Sequence, residues 1–121
     1  MATNTVKQGD KVNLKIPQGS TYKHTFSYRD DNDVPVPLSG YTGRAQFRAS
    51  VDAATTLYDS TTLGDITIDG AKGDVILEIP EPTTKAWTFR AAVYDLEIIS
   101  PTSKVTRLVK GRVKVDPEVT R

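Results

Sequence analysis

Side-chain alternation with a period of two recurs along almost the whole of this chain, and turn signals interrupt it every ten or so residues. A period of two belongs to a strand with one face buried and the other wet. In 11–16 (KVNLKI), Val12, Leu14 and Ile16 share a face opposite Lys11, Asn13 and Lys15. In 21–29, Tyr22, His24, Phe26 and Tyr28 alternate with polar residues, and in 41–49 Ala45 and Phe47 alternate with Arg44, Gln46 and Arg48. Weaker strand signals follow at 57–58 and 66–69. Stronger ones cover 74–79 (Val75, Leu77, Ile79), 91–99 (Ala92, Tyr94, Leu96, Ile98) and 104–115 (Val109, Val113, Val115). Arg107 falls on the apolar side of a regular last strand, so a bulge or a later start is expected there.

Composition agrees with the pattern. Sixteen Thr, twelve Val, seven Ile and nine aromatics favour pleated surfaces, against 24 Ala, Leu, Met, Glu and Gln. The expected fold is all-β: an immunoglobulin-like β-sandwich of seven to eight antiparallel strands. At most one short helical turn is expected, in EPTTKAW with Thr83 or Thr84 as N-cap. With 121 residues the chain suits one domain. The expected divisions are a flexible N-terminal arm at 1–10, a single sandwich domain at 11–116 and an extended C-terminal tail at 117–121.

Charge and cysteine content narrow the function classes. A formal net charge of +1 gives no sequence-wide electrostatic case for nucleic acid or an anionic membrane. With no cysteine there is neither a disulfide framework nor a thiolate site, which fits a domain folding in a reducing or neutral setting. No run of apolar residues is long enough for a membrane span, and MATNTVKQGD lacks a signal-peptide core.

Chemistry-bearing residues are sparse. His24 is the single histidine, and its place among Tyr22, Phe26 and Tyr28 marks it as a core imidazole rather than a zinc ligand. A Ser-His-Asp arrangement would need His24, but no G-x-S-x-G elbow accompanies it. Asp30, Asp31, Asn32 and Asp33 lack the spacing of a calcium loop and read as a solvated hairpin tip. Asp65, Asp69 and Asp74 form a looser acidic set on turn-like sequence, and Asp95 and Glu97 alternate outward. No phosphate-cradling glycine loop occurs. The expectation is therefore no catalysis, no cofactor and no metal.

What remains is surface. Arg44 and Arg48 form one basic stripe, and Lys110, Arg112 and Lys114 form another. Arginine is favoured at protein interfaces, whereas an ordinary solvated face is the plainer reading of Lys110 and Lys114. Trp87 lies on a connection. It is a candidate interface anchor or sugar-stacking platform, and equally a lid over the sandwich end.

Several short motifs resemble a family of small β-sandwich proteins encoded in bacteriophage tail regions, including collar and tail-fibre-attachment proteins. They are Gly19 before the aromatic strand, Val36-Pro37-Leu38-Ser39-Gly40-Tyr41, Arg44-Ala45-Gln46-Phe47-Arg48, Gly73 before Val75-Ile76-Leu77, and Tyr94-Asp95-Leu96-Glu97. Gly111 and Pro117-Glu118-Val119-Thr120-Arg121 complete the likeness, which spans about residues 10–121. Where the family often has Asp-Gly in the first turn, this chain has Asn32-Asp33. The resemblance implies a virion structural component, assembled in the host cytoplasm, that packs with copies of itself in a ring about the tail and holds fibres or other tail proteins. It adds Pro117, Glu118, Val119 and Arg121 to the candidate interface residues. A capsid decoration protein is the alternative, and a carbohydrate-binding module using Trp87 is a second one.

Overall fold

The computed structural model describes residues 2–120. It contains ten strands and two short helices. In chain order these are β1 (Ala2–Val6), β2 (Asp10–Lys11), β3 (Leu14–Pro17), β4 (Tyr22–Tyr28), β5 (Thr42–Arg48), β6 (Tyr58–Asp59), α1 (Ser60–Leu63), β7 (Ile66–Asp69), β8 (Asp74–Ile79), α2 (Glu81–Lys85), β9 (Ala91–Ile99) and β10 (Val105–Asp116).

Two sheets face each other. One has the order β1-β4-β8-β7. The other runs β2-β10-β9-β5-β6, with β3 also paired to β10. The orders β4-β8-β7 and β10-β9-β5 match the B-E-D and G-F-C orders of an immunoglobulin-type sandwich, with β6 added beside β5 and with β1, β2 and β3 pairing parallel at the sheet edges. The alternating apolar residues meet between the layers. Phe26, Val75, Leu77 and Ile79 come from the smaller sheet, and Leu14, Ile16, Phe47, Leu96, Ile98, Val109, Val113 and Val115 from the larger.

The last strand carries the expected irregularity. Its register to β9 shifts between Arg107 and Val109. Leu108 and Val109 are both buried while Arg107 stays in solvent, so the bulge moves the charge off the core face.

Five expectations need correction. The described residues form ten strands rather than seven to eight, because β2 and β6 are two-residue pieces and β1 has no alternation of its own. The pairing is not wholly antiparallel, because β1 lies parallel to β4, and β2 and β3 lie parallel to β10. Residues 2–6 are an edge strand rather than a free arm: Val6 is buried, and the chain reverses at Lys7–Asp10 before entering the other sheet. A second helical turn, α1, exists because Asp59 accepts from the Thr61 N–H at its start and Gly64 closes its end in the left-handed region. Neither Thr83 nor Thr84 caps α2. Its N-cap is Pro80, and the Thr21 hydroxyl accepts from the Glu81 N–H instead. The Thr84 hydroxyl is buried and ties α2 to the β3–β4 turn, donating to the Ser20 carbonyl at 2.8 Å and accepting from the Gly19 N–H at 3.1 Å.

Candidate functional site

The outward face of the larger sheet brings the two basic stripes together. Antiparallel register places residues of β5, β9 and β10 in rows across the sheet, because directly paired residues project on the same side. One row is Arg44–Glu97–Arg107, the next is Gln46–Asp95–Lys110, and the third is Arg48–Val93–Arg112. Beyond them Lys114 pairs with Ala91 and Lys15, and Lys110 pairs with Lys11. Eight Lys or Arg side chains thus share this face with four carboxylates: Asp59, Asp95, Glu97 and Asp116. The rest of the described residues carry seven Lys or Arg against eleven Asp or Glu.

Side-chain bonds order the β5 edge of this face. Arg44 Nε donates to Glu97 Oε1 at 2.6 Å. Gln46 Nε2 donates to Asp59 Oδ2 at 2.9 Å, and Gln46 Oε1 accepts from Arg48 Nη2 at 2.9 Å. Arg48 Nη1 also donates to the Ala53 carbonyl at 2.8 Å, which fixes the guanidinium beside the 49–57 loop. Desolvation acts to raise the Asp59 pKa, but bonds from Gln46 and from the backbone of Thr61 and Thr62 outweigh it and hold the carboxyl below its usual range.

The β10 side differs. Among the described residues no ion pair reaches Arg107, Lys110, Arg112 or Lys114. Between these cations and Arg48 lies an open groove of about 610 Å³ whose lining includes Val93 and Val51. Val51 is 82% exposed at its rim. The floor of the groove thus carries Val93 beside Asp95 and Glu97, between the cations of β10 on one side and Arg48 on the other.

The other candidates have different places. Trp87 is only 7% exposed and packs against Phe89, Tyr58 and Phe47 at ring separations of 5.0, 5.7 and 5.9 Å. It is a lid on the core, so neither an exposed sugar platform nor an interface anchor is formed by it. The tail is held rather than extended freely: the Glu118 N–H donates to Gln18 Oε1 at 3.0 Å, and the Glu118 carboxylate lies 3.7 Å from Lys85 Nζ. Pro117 and Val119 are exposed, whereas Arg121 lies outside the described residues.

His24 is buried within a ring of partners. Its Nδ1 is 2.9 Å from the Tyr22 hydroxyl, its Nε2 is 2.7 Å from Asn4 Oδ1, and its ring stacks on Phe26 at 4.5 Å. An amide oxygen only accepts, so Nε2 carries the proton and Tyr22 donates to Nδ1. Burial holds the imidazole below its usual pKa and pushes the Tyr22 phenol up to about 12. The acids are also engaged separately. Asp65 accepts from the Tyr58 hydroxyl at 2.6 Å and Asp74 from the Ser27 hydroxyl at 2.5 Å. Asp30 Oδ1 accepts from the N–H groups of Asn32 and Val34, building an ordered turn in which Asp33 has φ 63°.

Arg107, Lys11 and Lys15 also belong to the charged face, beyond the two basic stripes visible in the sequence. The anomaly of Arg107 in the alternation was the signal that could have placed it there.

No protein family model matches the chain, and no curated protein matches it by sequence. Among solved structures, the N-terminal domain of phage TP901-1 ORF48 is similar, with a TM-score of 0.52 and 7% identity. The match covers 96% of this chain and 99% of that one. The chain shares its fold with a phage protein domain. At that identity the likeness is one of architecture, and its near-complete coverage means that the whole sandwich is shared rather than a common hairpin.

Proposed function

We propose that this chain is a structural protein of a bacteriophage virion, set in the tail at the collar or the baseplate periphery. There it associates with copies of itself around the tail and anchors fibres or neighbouring tail proteins. The observation that carries this reading is the end-to-end likeness to the phage TP901-1 domain. The face described above adds a physical means, since a groove in which five cations outnumber two carboxylates around Val93 is suited to docking an acidic protein surface. In this reading the chain works through its surfaces. It transforms no substrate, holds no cofactor, and engages neither nucleic acid nor membrane.

The test is gold-labelled antibody against the chain on intact particles, paired with light scattering of the purified protein. Label on the tail, with a defined multimer in solution or on purified tails, is the expected result. Label on the head would replace this reading with that of a capsid decoration protein. Absence from the particle would overturn both.

A further inference from the structure

The charge separation in this molecule has a geometric counterpart. The turn at Asp30–Val34 projects from the end of β4, where Val36 N–H donates to the Tyr28 carbonyl and Lys7 Nζ lies 3.9 Å from Asp31. It therefore stands on the side of the smaller sheet, while the cationic groove opens outward from the larger one. The Asp31 side chain is fully exposed, at 101%, and the neighbouring Val34 is 52% exposed. The tip thus presents Val34 beside the Asp31 and Asp33 carboxylates, with Lys7 and Arg29, whose guanidinium donates to the Asp33 carbonyl at 3.2 Å, at its base. The groove presents Val93 flanked by Arg48 and Arg112, with Val51 at its rim.

We infer that the Asp31–Val34 tip of one copy seats in the Val93 groove of the next, with Asp31 and Asp33 facing Arg48, Lys110 and Arg112. This rests on the self-association proposed above and names its two surfaces. The surfaces are unlike and face in different directions, so the contact is head-to-tail, the type that generates rings or open filaments. The turn is already held by Asp30, which reduces the ordering cost of docking. Asp95 and Glu97 also line the groove, so the tip carboxylates are placed at its Arg48–Val93–Arg112 end, whereas a polyanion laid along the whole face would cross both acids.

Sedimentation of the full chain at low and high salt tests this, because exposed charges at an interface are screened by salt. Two variants carry the test: K110E/R112E in the groove and D31K/D33N at the tip, both at exposed positions. Each variant alone should weaken self-association about 100-fold or more, the scale of like charges set against each other. Mixing the two restores association, since each then offers the charge the other lacks. A multimer that survives K110E/R112E unchanged overturns the inference and leaves self-association standing. A wild-type chain that is monomeric at millimolar concentration, both free and on purified tails, overturns self-association itself. Salt-sensitive binding of a DNA duplex lost in K110E/R112E, with no self-association, also overturns it.

Discussion

The Tyr94 hydroxyl donates to the Val12 carbonyl oxygen at 2.6 Å, beside the position where Gly111 has no side chain. Gly111 pairs with Tyr94 across β9 and β10, and the break between β2 and β3 presses the Val12 peptide against it. A Cβ at 111 would collide with the Val12 carbonyl. We expect Gly111→Ala to destabilise the chain by about 1–3 kcal/mol, the usual cost of overpacking. Tyr94→Phe should cost about 1–3 kcal/mol by leaving that carbonyl without its hydroxyl donor. Urea denaturation of each variant measures both values.

His24 links stability to pH. Its folded-state pKa is below the unfolded value, so between the two the unfolded chain binds more protons. Its contribution is complete above the unfolded pKa of about 6.5 and declines as pH falls through the folded value. The difference in unfolding free energy between wild type and His24→Asn should therefore shrink on acidification from pH 7.5 to 5. A difference that stays flat over that range contradicts a buried neutral imidazole.

Trp87 is the only tryptophan, which makes it a reporter. Packed against Phe89, Tyr58 and Phe47, it should emit at short wavelength and resist acrylamide until the fold opens. Trp87→Ala should cost about 3–5 kcal/mol, as for other large core truncations. Glycan binding lost in a Trp87→Phe protein that remains folded would revive the carbohydrate reading.

Asp59 serves two elements, capping α1 and accepting from Gln46. Asp59→Ala should lower stability by about 0.5–2 kcal/mol, the range for a lost N-cap. Its folded-state pKa is depressed, so this contribution is present above the unfolded carboxylate pKa and fades as pH falls through the folded value. Denaturation midpoints of variant and wild type should therefore converge in acid.

The sandwich was legible because each core strand writes its burial locally: Val75, Leu77 and Ile79 need no partner to be recognised as one face. The bulge was legible for the same reason, as Arg107 broke a local rule. Strand β1 was not, because ATNTV offers only Val6 to the core and takes its place from pairing with β4. The short helix α1 rests on one cap and a glycine, too little to stand out among turn residues. Both basic stripes could be read from sequence, but their meeting could not. It depends on β9 lying between β5 and β10, and strand order is a property of the assembled sheet. Trp87 was ambiguous because a residue on a connection carries no alternation to say which way it points.

The parallel pairing of β3 with the end of β10 bears on how the molecule takes a load. Adjacent strands that run the same way, pulled from opposite ends, slide along each other, so tension falls on all their hydrogen bonds at once instead of peeling them singly. A pull between the start of β3 and Asp116 is resisted by the Leu14–Pro17 ladder as a unit. Tension applied at these two points is therefore borne by that ladder before it reaches the core.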